Sequence, residues 1–257
     1  MSTTLFCRSW KIVKGEPVLI QAGASEAGRA MAAESAEVVF GASQTLERAQ
    51  EFYADVKGRM AAFGRAPDSL KIMPGLSVSV AATHAEAEAK WNELQDLIDP
   101  KTGLELLQER LHFDISGFDV NGTLPDMPQE VRDDSRVQLI YEMAARESMT
   151  IRDLYRHFGG TRGHRHITGS TTEVADFMEE WVAEKGCDGF NIMPPLFPAG
   201  LEDFVDLVIP ELQRRGLFRN EYEGSTLREN LGLPRPPWSA GDMERTAAAE
   251  KVPATAK

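Results

Sequence analysis

The amino-acid sequence predicts an α/β fold in which parallel strands alternate with helices and form part of a (β/α)8 barrel. Short apolar runs that end in Gly or Pro are repeatedly followed by a segment with the composition or the periodicity of a helix. Of the 257 residues, 42% are hydrophobic, which is enough to build a core. A complete barrel needs eight strands, whereas this sequence has four clear candidates. It therefore predicts a partial barrel.

The first two strand and helix units occupy residues 17–63. Residues 17–23 form an apolar run that ends in Gly, and the Ala-rich segment 25–35 follows as a helix. Residues 36–42 repeat the strand pattern. The segment 45–63 has apolar residues spaced by three and four positions, as on one face of a helix: Leu46, Ala49, Phe52, Tyr53, Val56 and Met60.

The third unit begins with a predicted strand at residues 70–80. Thr83 then has Glu86 three positions later, which is the pattern of a capping box at the start of a helix. The alternation stops at about residues 99–160, which we interpret as an insertion. It contains predicted helices at 103–111, 131–141 and 148–158 and a loop rich in Gly, Asp and Pro.

The last unit follows the insertion. We expect Thr171 to cap a helix through residue 185, residues 186–195 to form the final strand, and residues 201–215 to form the closing helix. The partial barrel thus spans residues 15–233. Residues 1–14 form an atypical amino-terminal segment, and residues 234–257, rich in Pro, Ala and charge, form a flexible tail.

Charge and cysteine content exclude several classes of function. The formal net charge of −12 disfavours nucleic-acid binding, because cationic side chains supply the affinity for phosphates. The two cysteines form no CxxC pair, so neither a disulfide framework nor a thiolate metal site is expected. No apolar run is long enough to form a signal peptide or to cross a membrane. A cytoplasmic protein fits best.

The junction at residues 21–28, QAGASEAG, is a candidate anion site. It joins a predicted strand to a predicted helix, where several backbone N–H groups and the positive end of the helix dipole point at one spot. Gly23 permits a close approach, Ala24 and Ser25 offer N–H groups, and the Ser25 hydroxyl can donate a further hydrogen bond. The alternative is an ordinary N-cap, in which Ser25 only satisfies its own helix.

Four segments in this order resemble the bacterial luciferase-like superfamily: GEPVLIQAGASEAGR at 15–29, GHR at 163–165, GST at 169–171 and DGFN at 188–191. Within it, the chain is most similar to the two-component, FMN-dependent monooxygenases of the nitrilotriacetate, dibenzothiophene-sulfone and long-chain-alkane type. The resemblance implies that this chain corresponds to the carboxy-terminal half of a (β/α)8 TIM barrel.

The resemblance also implies a function. Reduced FMN from a separate flavin reductase, together with O2, inserts an oxygen atom into a small organic substrate, and Gly23, Ala24 and Ser25 hold the FMN phosphate. Two alternatives stay open. In the first, the chain is a non-catalytic remnant, or a subunit that pairs with a complementary half-barrel chain or forms a homo-oligomer. In the second, it is a deazaflavin-dependent oxidoreductase of the same superfamily.

Two further residues are candidates near the flavin ring. His112, at the edge of the insertion, has the intrinsic pKa of a proton carrier, although an exposed histidine at a helix end is the commoner case. Phe190 lies at the end of the last strand and packs either under the flavin or in the core. The cluster Arg162, His164, Arg165 and His166 lacks carboxylates or cysteines at ligand spacing, so we expect no metal there and place Arg165 on a structural loop.

Overall fold

The computed structural model describes residues 17–161 and 163–233, with the main chain alone of residues 135 and 136. The predicted segments 1–14 and 234–257 therefore lie outside the described residues. In these ranges no helix has the length and the apolar character needed to cross a bilayer. The strands are β1 (Ile20–Ala22), β2 (Val38–Phe40), β3 (Lys71–Ile72), β4 (Gly75–Ala81), β5 (Arg165–Ser170) and β6 (Asn191–Ile192).

Helices connect and follow these strands. The first three, α1 (Glu26–Ser35), α2 (Leu46–Arg59) and α3 (His84–Asp96), begin where the sequence predicts, at Ser25, Thr45 and the Thr83 capping box. The others are α4 (Pro100–Leu111), α5 (Gln129–Arg132), α6 (Ser135–Glu147), α7 (Ile151–Thr161), α8 (Thr171–Ala183), α9 (Ala199–Asp203), α10 (Ile209–Arg214) and α11 (Leu227–Asn230), with a π-helical turn (Phe204–Val208) between α9 and α10.

All of the strand pairings are parallel. One sheet has the order β1-β2-β3 and the other has the order β5-β4-β6. Backbone hydrogen bonds join the two sheets: the Gly75 N–H donates to the Gly41 carbonyl at 3.0 Å, and the Asp188 N–H donates to the Ile72 carbonyl at 2.8 Å. The four predicted strands therefore lie side by side in chain order, with β3 and β4 as successive parts of the third. The predicted α/β class is confirmed.

Strand β5 is absent from the sequence-based prediction. It pairs with β4 along its whole length, from Arg165 to Ser170. Strand β5 lacks the apolar alternation by which a strand is recognised, because it contains the polar residues Arg165, His166 and Thr168. Two predictions are therefore wrong in detail. Arg165 lies on a strand and not on a loop, and Ser170, not Thr171, caps α8 through a capping box with Glu173.

Helices α1, α2 and α8 and the π-helical turn cover one face of the sheets, and α3 lies over part of the other face. Val39 and Ile72 pack in a core cluster with residues of α1 and α2, and Leu76, Val78 and Val80 pack in a second cluster with α8 and the π-helical turn. Because side chains alternate along a strand, the residues between these face the opposite way. We call this second surface the inner face; it carries Phe40, Lys71, Met73, Gly75 and Ser77.

The insertion has a core of its own. Helices α4, α6 and α7 contribute a cluster of buried side chains that includes Leu107, Leu111, Ile140 and Leu154. Helices α4 and α7 overlap the predicted segments 103–111 and 148–158, whereas the predicted helix 131–141 is replaced by the separate helices α5 and α6. Thr150 and Asp153 form hydrogen bonds at the start of α7. The insertion therefore folds around its own apolar centre and not around the main sheet.

A buried ionic network holds β6 against the rest of the fold. The Asp188 carboxylate lies 2.9 Å from the Lys57 ammonium, accepts a hydrogen bond from the Tyr53 hydroxyl at 3.0 Å, and accepts the Ile72 N–H at 2.7 Å. The Lys57 side chain is only 8% exposed. Burial next to this carboxylate raises the pKa of Tyr53 to about 12, so the phenol remains a hydrogen-bond donor at neutral pH.

Replacing Asp188 should be costly. In Asp188→Ala the buried Lys57 ammonium loses its counter-charge, and we expect the free energy of unfolding in urea to fall by about 3–5 kcal/mol. The control is Asp203→Ala, which breaks the exposed pair with Lys90 and should cost less than about 1 kcal/mol. Equal losses in the two variants would show that the network does not stabilise the fold.

A second polar contact lies on the inner face, beneath α3. The His166 ring nitrogens lie 3.0 Å from Ser77 Oγ and 2.8 Å from Thr168 Oγ1, and the ring stacks on Trp91 with the centroids 3.7 Å apart. Burial, assisted by His157 and Arg165, lowers the pKa of His166 to about 3. The imidazole is therefore neutral at pH 7.

This histidine should make the fold sensitive to acid. The pKa of an unfolded histidine is about 6.5, and that of folded His166 is about 3. Between pH 6.5 and pH 3 the unfolded state therefore binds more protons at this residue than the folded state does. Stability from this residue is present above that window and is lost as the pH falls, by at most about 1.4 kcal/mol per pH unit. We expect urea titrations of His166→Gln to show a weaker pH dependence than the wild type.

The matched control for this experiment is His112→Asn. His112 is exposed and has a positive φ of 51°, a conformation that Asn tolerates. This variant should keep the wild-type pH dependence. If His166→Gln also keeps it, the acid sensitivity arises elsewhere.

Candidate active site

The strand-to-helix turn at Gly23, Ala24 and Ser25 is exposed at the carboxyl end of β1. Gly23 has a φ of +139°, which residues with a side chain rarely adopt. Ser25 is extended, and its Oγ accepts the Gly28 N–H at 3.2 Å as the N-cap of α1. The expected N-cap is therefore present, and the turn is open to solvent.

Several hydrogen-bond donors in this turn are unused. Among residues 17–161 and 163–233, the Ala24 and Ser25 N–H groups donate to no acceptor. The first N–H groups of α1 have no intrahelical partner either. The Ser25 hydroxyl accepts one hydrogen bond and still has its own proton to donate. These donors fit a phosphate or another small oxyanion.

A network of charged side chains supports the turn from behind. Arg29 donates from Nε to the Ala24 carbonyl at 2.8 Å and from Nη1 to Asp55 at 2.9 Å. Arg59 binds both Asp55 and Glu26. The hydrogen bonds from Arg59 hold the pKa of Glu26 below its usual range. Glu26 therefore pairs with Arg59, and the turn has cations beside it.

The sequence analysis did not single out Arg29. Its position, one turn into a helix that begins at a candidate anion site, could have indicated a role for Arg29 in that site. By binding the Ala24 carbonyl it fixes the direction of the peptide bond that follows, and this bond carries the Ser25 N–H. Arg29 is thus a positioning residue for the turn.

His112 lies at the carboxyl end of α4, apart from this turn. It is exposed and borders an open surface groove together with Gln108, Phe113 and Asp114. In the described part of the chain it makes no hydrogen bond or ion pair. Its role as a proton carrier stays a prediction.

Phe190 lies on the helix-covered side of the last strand. Its ring centroid is 6.2 Å from those of Phe177 and Trp181 of α8, and it packs against the buried cluster formed by Ala49, Trp181 and Cys187. These neighbours give Phe190 a packing role. Its contact with a flavin also stays a prediction.

The histidine and arginine cluster does not converge on one point. His166 is held under α3, whereas the Arg165 guanidinium lies on the other side of β5, 5.8 Å from the centre of the Phe177 ring. The His164 ring lies 5.0 Å from the Phe40 ring, and Arg162 lies outside the described residues. Where the chain is described, no group of three or more metal-ligating side chains comes together.

Comparison with known proteins identifies close relatives. The chain is 52% identical over 226 residues to N-acetyl-S-(2-succino)cysteine monooxygenase of Bacillus subtilis (strain 168), covering 87% of this chain and 51% of the relative. It is 50% identical over 225 residues to nitrilotriacetate monooxygenase component A of Aminobacter aminovorans, covering 87% and 50%. The chain thus spans about half the length of these relatives.

The fold agrees with these matches. The crystal structure of DmoA from Hyphomicrobium sulfonivorans superimposes with a TM-score of 0.74 at 32% identity, over 84% of this chain and 45% of that one. The profile of the luciferase-like monooxygenases matches residues 3–184. The chain therefore belongs to the luciferase-like monooxygenase family.

Proposed function

We propose that this chain forms the phosphate-binding part of an FMN-dependent monooxygenase, in the carboxy-terminal half of a (β/α)8 barrel. The observation that carries the proposal is the exposed turn at Gly23, Ala24 and Ser25, with its unused N–H groups. The family supports it, because the two relatives at 50% identity or more are named monooxygenases. The order of the four predicted strands and the half-length match support the half-barrel part of the proposal.

In this proposal each residue of the turn has one task. The Ala24 and Ser25 N–H groups and the Ser25 hydroxyl bind the phosphate, Gly23 gives it room, and Arg29 holds the Ala24 peptide in place. The chemistry that a reduced flavin supplies when bound is the activation of O2 for oxygen insertion into a small organic substrate. The relative named component A supports a separate flavin reductase as the partner that delivers the reduced cofactor.

The insertion would contribute His112. An exposed histidine beside a surface groove can exchange protons with solvent. We assign it the role of a proton carrier near the substrate, and Phe190 that of supporting the last strand beneath the flavin through its contacts with α8.

Removing the Ser25 hydroxyl should weaken the binding of FMN but not that of riboflavin. Ser25→Ala loses a hydrogen bond to the phosphate, and we expect the Kd for FMN to rise by a factor of about 10 to 150, since a hydrogen bond to a charged group contributes about 1.5–3 kcal/mol. The Kd for riboflavin, which has no phosphate, should not change. Quenching of flavin fluorescence measures both constants.

The control for this experiment is Thr45→Ala. Thr45 caps α2 as Ser25 caps α1, so both variants lose an N-cap worth about 1 kcal/mol of stability. Only Ser25→Ala should weaken FMN binding. If the wild type binds FMN no more tightly than riboflavin, the turn is an N-cap alone and the proposed function is wrong.

One observation favours a second candidate, a subunit that needs a partner half-barrel. Strand β1 is at an edge of its sheet among the described residues, and Ile20 is 64% exposed there. An exposed edge strand with apolar side chains is open to pairing with another chain. Light scattering with and without FMN distinguishes the two: a monomer that binds FMN supports the enzyme, and an oligomer that fails to bind supports the subunit.

A further inference from the structure

The two sides of the last strand have different surroundings. Asp188 binds Tyr53 and Lys57 of α2, Phe190 contacts Phe177 and Trp181 of α8, and Ile192 packs against the cluster that contains Leu76 and Val78. Asp188 and Phe190 precede β6 and Ile192 lies in it, and all three have their contacts on the helix-covered side. Because side chains alternate along a strand, Asn191 and Met193 belong to the inner face.

The surroundings of Gly75 confirm this assignment. A Cβ atom at Gly75 would lie 2.7 Å from Met193 Sδ and 2.5 Å from His164 Nδ1, so both side chains cross the inner face over this glycine. Gly75 is also the register partner of Asn191. Asn191 is exposed, in contrast to the packed residues on either side of it. Its amide therefore borders an open part of the inner face.

In the register of the sheet, Asn191 lies level with the turn at Gly23, Ala24 and Ser25, the proposed phosphate site. Ala22 is the partner of Phe40 in β2, the residue after Phe40 accepts the Gly75 N–H, and Gly75 is paired with Asn191. Three strand spacings of about 4.8 Å each separate the two sites, so they lie at most about 14 Å apart along the sheet. A flavin mononucleotide, whose ribityl chain joins the phosphate to a three-ring system, reaches across such a distance.

We propose that Asn191 in β6 hydrogen-bonds to the non-phosphate part of the flavin. An amide both donates and accepts hydrogen bonds, as the carbonyl and N–H groups of a flavin ring require. The inner face around it combines the apolar side chains of Phe40, Met73 and Met193 with the imidazole of His164, and ligand sites combine apolar walls with a few polar groups. This inference rests on the proposed function.

Three variants test the assignment through binding and not through activity. In Asn191→Leu the Kd values of FMN and riboflavin should both rise, by the same factor of roughly five to ten, because the lost hydrogen bond is made by a part that both ligands share. Ser25→Ala should weaken FMN alone. Ile192→Ala, on the helix-covered side of β6, should lower the Tm and leave both Kd values unchanged.

The outcomes separate this inference from the proposed function. If the wild type prefers FMN over riboflavin but Asn191→Leu binds both as tightly as the wild type does, Asn191 has no such role and the phosphate site stands. If the wild type shows no preference for FMN, the proposed function itself falls. Asn191→Ser gives the same comparison should the leucine variant fail to fold.

Discussion

The buried carboxylate of Asp188 is the constraint on which the last strand depends. It accepts hydrogen bonds from Tyr53 and from the Ile72 N–H and neutralises Lys57, so it joins β6 to both α2 and β3. An ammonium group buried without this partner would cost several kcal/mol. Because Ile192 packs on the helix-covered side, strand alternation places its neighbour Asn191 on the inner face.

The turn at Gly23, Ala24 and Ser25 also depends on helix packing: apolar residues of α1 are buried, whereas the polar groups at its amino terminus stay exposed. Ala32 and Ala33 of α1 are buried in the cluster with Val39 and Ile72, which fixes the axis of the helix. The amino terminus of α1 remains exposed at the carboxyl end of β1. Arg29 and Arg59 then link α1 to Asp55 of α2, so the charges beside the turn are held by side chains and not by the ligand.

The sequence predicted what is encoded locally. The four strands, the capping box of α3 and the turn at Gly23 depend on neighbours within a few residues, and all are present. Strand β5 was missed because its polar residues find their partners only in the tertiary fold. The Asp188 network was missed for the same reason, since Tyr53 and Asp188 are 135 positions apart. The packing of Phe190 against α8 could not be predicted either, because Phe177 and Trp181 approach it only in the tertiary fold.

The inner face contains polar groups of two kinds, and the difference decides where a ligand belongs. Under α3, the hydroxyls of Ser77 and Thr168 bind the His166 ring, which also stacks on Trp91. A ligand there would have to displace contacts that the protein already makes. At Asn191 the amide is exposed, and at Ala24 and Ser25 the N–H groups have no acceptor in the described chain. Because a ligand binds where polar groups at strand ends still lack hydrogen-bond partners, the proposed ligand site extends from the turn to Asn191 and not beneath α3.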